Sequence, residues 1–115
     1  MAIVIDTSKV EAQLVSDSGA SKLLFKQIFT SKHGGRLHCN IGKTMPGGYS
    51  REHKHEWDQI NFVLSGKGIL KINNEEVPIE KGMAIYIPGN ELHLYKNVGS
   101  EPLEILGVLG PMAKD

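Results

Sequence analysis

The feature that most constrains this chain is its punctuation. Short runs with strand character follow one another, and glycine, proline or asparagine closes each of them. The runs are roughly residues 22–30, 36–41, 59–65, 68–73, 77–80, 83–87, 92–97 and 103–109. Between them stand Gly34-Gly35, Pro46-Gly47-Gly48, Gly66, Asn73-Asn74, Gly82, Pro88-Gly89-Asn90, Gly99 and Pro102. Such spacing leaves no room for long helices. With 13 glycines in 115 residues, it predicts an all-β fold, a sandwich or a barrel. Asn73-Asn74 reads as a hairpin turn, because asparagine tolerates positive φ. Residues 8–15 are the one helical candidate, and Ser16-Asp17-Ser18-Gly19-Ala20-Ser21 reads as a loop.

A chain of 115 residues is expected to form one domain, 1–115. Its 13 Lys and Arg balance 13 Asp and Glu, which gives no electrostatic footprint for nucleic acid or an anionic membrane surface. The single cysteine, Cys39, cannot form an intrachain disulfide. No window approaches the ~18 apolar residues of a membrane span, and the first residues lack a basic, then apolar, signal pattern. The expectation is a soluble cytoplasmic protein.

Along Gln59-Ile60-Asn61-Phe62-Val63-Leu64, alternate side chains point to opposite faces. Ile60, Phe62 and Leu64 share an apolar face; Gln59, Asn61 and Val63 share the other. Two amides are costly in a dry core unless hydrogen-bonded or coordinated. The apolar face needs a cover. It is either an N-terminal strand, at residues 2–5 or 22–28, or a second subunit. A second subunit is the expectation, hence a homodimer, because a small domain gains most from added burial.

The histidines are His33, His38, His53, His55 and His93. His53 and His55 form an H-x-H pair, and on a strand both point to one side. Gln59 returns to that side after a bend at Glu56-Trp57-Asp58, and His93 opens another strand. Three imidazoles and an amide oxygen suit a divalent first-row metal. With five histidines in 115 residues, an H-x-H arises by chance in roughly one such chain in five, and exposed edge-strand histidines are the alternative reading.

The wider spacing is more specific. Gly47 is followed after five residues by His53-Lys54-His55, after three more by Gln59 and after six more by Gly66. Gly82 is followed after five residues by Pro88-Gly89-Asn90, after two more by His93 and after three more by Asn97. The two stretches resemble the two motifs of the cupin family, and HKHEWDQINFVLSG resembles the string found in very small single-domain cupins. Gln59 stands where glutamate is usual. Asn90 replaces the second glycine, mildly, since asparagine also visits the left-handed region. The resemblance implies a cupin jelly-roll β-barrel, usually dimeric. It also implies one divalent transition metal per chain (Zn, Mn, Fe, Ni or Cu), with His53, His55, Gln59 and His93 in the ligand positions. Gln for Glu leaves that set uncharged, which lowers affinity and raises the Lewis acidity of the ion. The alternative is that Gln59 bonds a water, leaving a three-histidine site.

Arg51 and Tyr49 share parity with the H-x-H pair. Arg51 is read either as pairing with a substrate carboxylate or as plainly exposed, and Tyr49 as reaching the pocket mouth. Asn61 is read as bonding substrate or water, or as a satisfied core amide. Tyr95 is read as a proton donor or pocket wall, with plain packing as the alternative. Trp57 is expected to pack as a lid, Glu56 and Asp58 to be solvated loop charges, and Cys39 to be packing rather than a nucleophile. Three function classes follow. The first is a metal-dependent enzyme on a small oxygenated molecule, either of isomerase or cyclase type or a dioxygenase of the quercetinase or acireductone kind. The second is a sensor of a small molecule or metal, and the third a structural cupin with a vestigial site.

Overall fold

The computed structural model describes residues 1–16 and 19–113. Among these, nine strands form: β1 (Gln13–Leu14), β2 (Ser21–Phe29), β3 (His38–Tyr49), β4 (Asp58–Ser65), β5 (Lys67–Ile72), β6 (Glu75–Glu80), β7 (Ala84–Ile87), β8 (His93–Lys96) and β9 (Leu103–Gly110). All pairings are antiparallel, in the order β6-β5-β8-β3-β9-β4-β7, with β2 paired to β3 and β1 to β2. The sheet curls so that its inner face encloses a core of Val63, Leu70, Ile79, Ile87, Tyr95, Leu103 and Ile105. Among the described residues no helix is long and apolar enough to cross a membrane.

Seven of the eight expected runs coincide with β2 and β4–β9 to within two residues. The Asn73-Asn74 turn closes the β5–β6 hairpin with φ of 47° and 73°. The eighth run differs. β3 continues through Pro46-Gly47-Gly48, which the sequence marks as a break. There Met45 to Gly48 oppose the single residue Lys22 of β2. This wide bulge bends the strand. Gly47 has φ 83° and Lys22 φ 54°, and a Cβ on Gly48 would lie 2.6 Å from the Ser21 carbonyl oxygen. The bend lets the first part of β3 pair with β9 and its last residue with β8, as corner strands do when they pass from one sheet to another.

The helix expected at residues 8–15 does not form. Asp6 caps a single 3-10 turn, Thr7–Lys9, and Gln13–Leu14 pairs with β2 instead. Eight residues are too few to sustain a helix alone, and the edge of β2 offers the backbone partners. Residues 2–5 form no strand, so the alternative of a covering strand there is not realised. The loop expected at 16–21 lies partly outside the described residues, at Asp17 and Ser18; Ser21 already opens β2.

The β4 parity holds through Val63; Leu64, expected on the exposed face with Ile60 and Phe62, is half-buried where the register with β9 shifts between Val63 and Ser65. Gln59, Asn61 and Val63 are buried, and Ile60 and Phe62 are exposed. Across the inner face, Val63 aligns with Ile105 and Gly42, while Asn61 aligns with Gly107 and Asn40. The interior thus changes from apolar to polar along the strands, and the site lies at the polar end.

Candidate metal centre

Beyond β3 the chain runs antiparallel to β8 without forming a named strand. Ser50 N–H donates to the Tyr95 carbonyl at 2.9 Å, and His53 and His93 exchange backbone bonds of 3.1 and 3.0 Å. Directly paired residues share a face, so the His53 and His93 rings meet, and His55 follows two residues on. Ring centroids are 4.8 Å apart for His53–His93, 5.3 Å for His55–His93 and 5.5 Å for His53–His55. One ring nitrogen from each histidine lies within 4.8 Å of the others.

Which nitrogens are free follows from the hydrogen bonds. Nδ1 of His53 faces the Arg51 carbonyl at 2.8 Å, that of His55 the Trp57 carbonyl at 3.0 Å, and that of His93 the Glu91 carbonyl at 2.8 Å. A carbonyl only accepts, so each Nδ1 carries the hydrogen and donates. In the neutral ring, Nε2 is left with its lone pair. His93 Nε2 is buried and has no partner. Burial pushes the His93 imidazole below the ordinary histidine range, which keeps it neutral.

Gln59 is oriented by Asn61. Asn61 Nδ2 donates to the Leu106 carbonyl at 3.3 Å, and its Oδ1 accepts from the Tyr95 hydroxyl at 2.7 Å and from Gln59 Nε2 at 2.6 Å. The Gln59 Oε1 therefore faces His55 Nε2 at 3.0 Å. With His55 Nδ1 already donating to Trp57, these two atoms meet as acceptor against acceptor. The pair needs a second proton on His55 or a cation on both atoms. Two ligands about 2.1 Å from one ion, at right angles, lie about 3.0 Å apart. The residues present fit a metal ion.

A cavity of about 460 Å³ opens beside the histidines, and Arg51, Asn61 and Tyr95 line it. Burial pushes the Tyr95 hydroxyl well above the ordinary tyrosine range, so it stays protonated, with its hydrogen directed at Asn61. Tyr49 is exposed and does not line the cavity; Ser50 does, its hydroxyl accepting from Tyr95 N–H at 2.9 Å. The Trp57 ring stacks on His55 at 4.9 Å. Asp58 is not free in solution, as a loop charge would be. Its carboxylate accepts from the Tyr86 hydroxyl and, at 2.9 Å, from Gly89 N–H, and these bonds hold it below the usual carboxylate range. It pins the Pro88-Gly89-Asn90 turn that delivers His93. Burial pushes the Cys39 thiol up, away from a nucleophilic thiolate. His33 caps its own turn and His38 bonds Ser31 at 3.0 Å, both away from the cluster.

Sequence reasoning missed Asn40 and Gly107. A Cβ on Gly107 would lie 2.8 Å from Asn40 Oδ1 and 3.1 Å from Asn61 Nδ2, so this glycine makes room for both amides. The signal was a glycine inside an apolar strand, which often marks a close approach.

The family model for the cupin domain matches residues 41–109. The chain belongs to the cupin family. Among its relatives, an uncharacterized protein of Methanocaldococcus jannaschii is 40% identical over 55 residues, covering 47% of this chain and 44% of that protein. The tetracenomycin polyketide synthase protein TcmJ of Streptomyces glaucescens is 28% identical over 69 residues, covering 59% of this cupin and 46% of TcmJ. Both matches span less than half of the relative's own length. Among solved structures, the polyketide cyclase RemF of Streptomyces resistomycificus superposes with a TM-score of 0.86 at 24% identity, covering 95% of this chain and 79% of RemF. A predicted oxalate decarboxylase of Thermotoga maritima gives 0.85 at 25% identity, covering 93% and 97%. This cupin shares their barrel.

Proposed function

We propose that this cupin is a metal-dependent enzyme acting on a small oxygenated organic molecule by isomerase- or cyclase-type chemistry. The observation that carries the reading is the set of three histidines, each tied through Nδ1 to a backbone carbonyl, with their free nitrogens convergent. His53, His55 and His93 would hold one divalent transition ion, with the Gln59 carbonyl oxygen as fourth ligand. Bound there, the ion supplies Lewis acidity toward a carbonyl or enol oxygen, undiminished by any charged ligand.

The remaining work belongs to the chain. Asn61 keeps the Gln59 amide turned toward the histidines. Leu23, Phe25 and Ile105 form an apolar wall that limits water around a bound molecule. The Tyr95 hydroxyl gives its hydrogen to Asn61, so toward a ligand its oxygen presents lone pairs. The likeness to a polyketide cyclase and to a polyketide synthase protein supports the cyclase branch by analogy of fold.

Elemental analysis of protein purified without added metal should give close to one divalent ion per chain. The double variant His53→Ala, His55→Ala should lose it, and full retention overturns the site. Metal-loaded protein should turn over enolisable β-diketone probes without oxygen uptake. Uptake coupled to turnover would instead make this cupin a dioxygenase.

A further inference from the structure

We propose that the ligand of this cavity is a small carboxylic acid, bound as its anion and carrying an apolar body, with the carboxylate held by Arg51 and Lys54. The inference rests on the reading above that this cavity is the ligand site. Its first ground is charge. No aspartate or glutamate lines the cavity. Of the nearby carboxylates, Glu52 turns to Lys71 at 3.3 Å, Glu91 to Asn73, and Asp58 to Tyr86 and Gly89, and Glu56 is exposed and does not line the cavity. Arg51 and Lys54 both line the cavity and are both exposed, which puts them at its rim. Among the described residues neither joins an ion pair. A divalent ion on four neutral ligands would add two more positive charges to a cavity whose walls offer no anion. Charge of one sign gathered beside low-dielectric walls attracts its opposite.

The second ground is shape. Arg51 carries a planar fork that matches a carboxylate, and Lys54 adds a point charge. Elsewhere on the lining, Leu23 and Phe25 of β2 and Ile105 and Leu109 of β9 present hydrocarbon. A cavity of about 460 Å³ falls in the range of sites for small organic ligands, roughly 300–1,000 Å³. A bare dianion of oxalate size would leave most of it empty and its apolar wall unused. An aromatic or aliphatic acid fills both halves.

The test is calorimetric titration of the full chain at pH 7 with 2-naphthoate and with its neutral analogue 2-naphthamide, together with metal analysis of the same samples. The acid should bind at least about tenfold more tightly than the amide. The double variant Arg51→Gln, Lys54→Gln should cut that preference at least about fivefold, leaving only what a bound ion supplies, while binding the amide within about twofold of the original. It should keep its metal, because the Arg51 carbonyl that holds His53 Nδ1 is main chain. Equal binding of acid and amide, no binding of the acid, or a preference undiminished in the double variant would each overturn the proposal. The preference found in a protein without metal sustains it and removes the metal reading. Bound metal without the preference does the reverse.

Discussion

A glutamine has no charge to draw it toward a metal, so its orientation must come from its neighbours, and here it comes from Asn61. Asn61→Leu would leave the Gln59 amide and the Tyr95 hydroxyl as buried donors without an acceptor, at about 1–3 kcal/mol each. We expect a clear fall in urea-melt stability and a weaker metal, measured by chelator competition. Unchanged metal affinity would show that Asn61 does not position Gln59. Gln59→Glu is a sharper probe. It adds a charged ligand, yet it sets a carboxylate oxygen against Asn61 Oδ1, where a donor now sits at 2.6 Å. The metal-free variant should therefore melt below the unmodified protein, and metal should raise its Tm by more. Equal metal-induced rises would place the side chain away from the ion. The residue types and spacing of this cluster were legible in the sequence. The direction of the amide was not, because it is set by a tyrosine on β8 and a carbonyl on β9, and no local pattern reports on either.

At the scale of the element, the strands were legible because alternation and turn chemistry are local. The corner in β3 was not, because a bulge and a chain break carry the same glycines and proline. What distinguishes them is a partner strand, with Ser21 pairing beyond the bulge and Leu23 before it. Gly48 is where that partner presses hardest. A Cβ there would meet the Ser21 carbonyl at 2.6 Å and the Met45 carbonyl at 2.9 Å, both backbone atoms that cannot swing aside. Gly48→Ala should cost about 1–3 kcal/mol in urea unfolding. It should also disturb metal binding, since the same bend carries the chain into the H-x-H segment. Gly35→Ala is the control. Nothing lies within 4 Å of its Cβ position, and the substitution should be neutral or slightly stabilising. Equal effects at the two positions would mean that the corner is not constrained by contact.

At the scale of the whole molecule, the outer face of the sheet remains to be covered. Ile60, Phe62 and Tyr86 are 49%, 41% and 58% exposed. Pairing registers extend them into two rows across four strands. Tyr86, Ile60, Val108 and Cys39 form one; Ala84, Phe62, Leu106 and Ile41 form the other. This continuity was only half legible: alternation on β4 gave Ile60 and Phe62, but their neighbours depend on register. Residues 2–5 do not form the strand that would cover the rows, and β2 lies within the sheet beside β3. We propose that a second copy of the chain packs sheet to sheet on this face, since a contiguous apolar patch of this kind marks an interaction surface and two-fold pairing is the commonest closed symmetry. Burying Ile60 and Phe62 on each copy contributes on the order of 1.5–3 kcal/mol per side chain from area, partly offset by the entropy of association. Light scattering at micromolar concentration should give twice the chain mass of 12.6 kDa. Phe62→Asp places a charge in the middle of the patch and should yield monomer. Metal content should persist, because the side chain lies on the opposite face from Gln59 and Asn61. A mass of one chain for the unmodified protein would refute the dimer, and a Phe62→Asp protein that still dimerises would move its interface to another face.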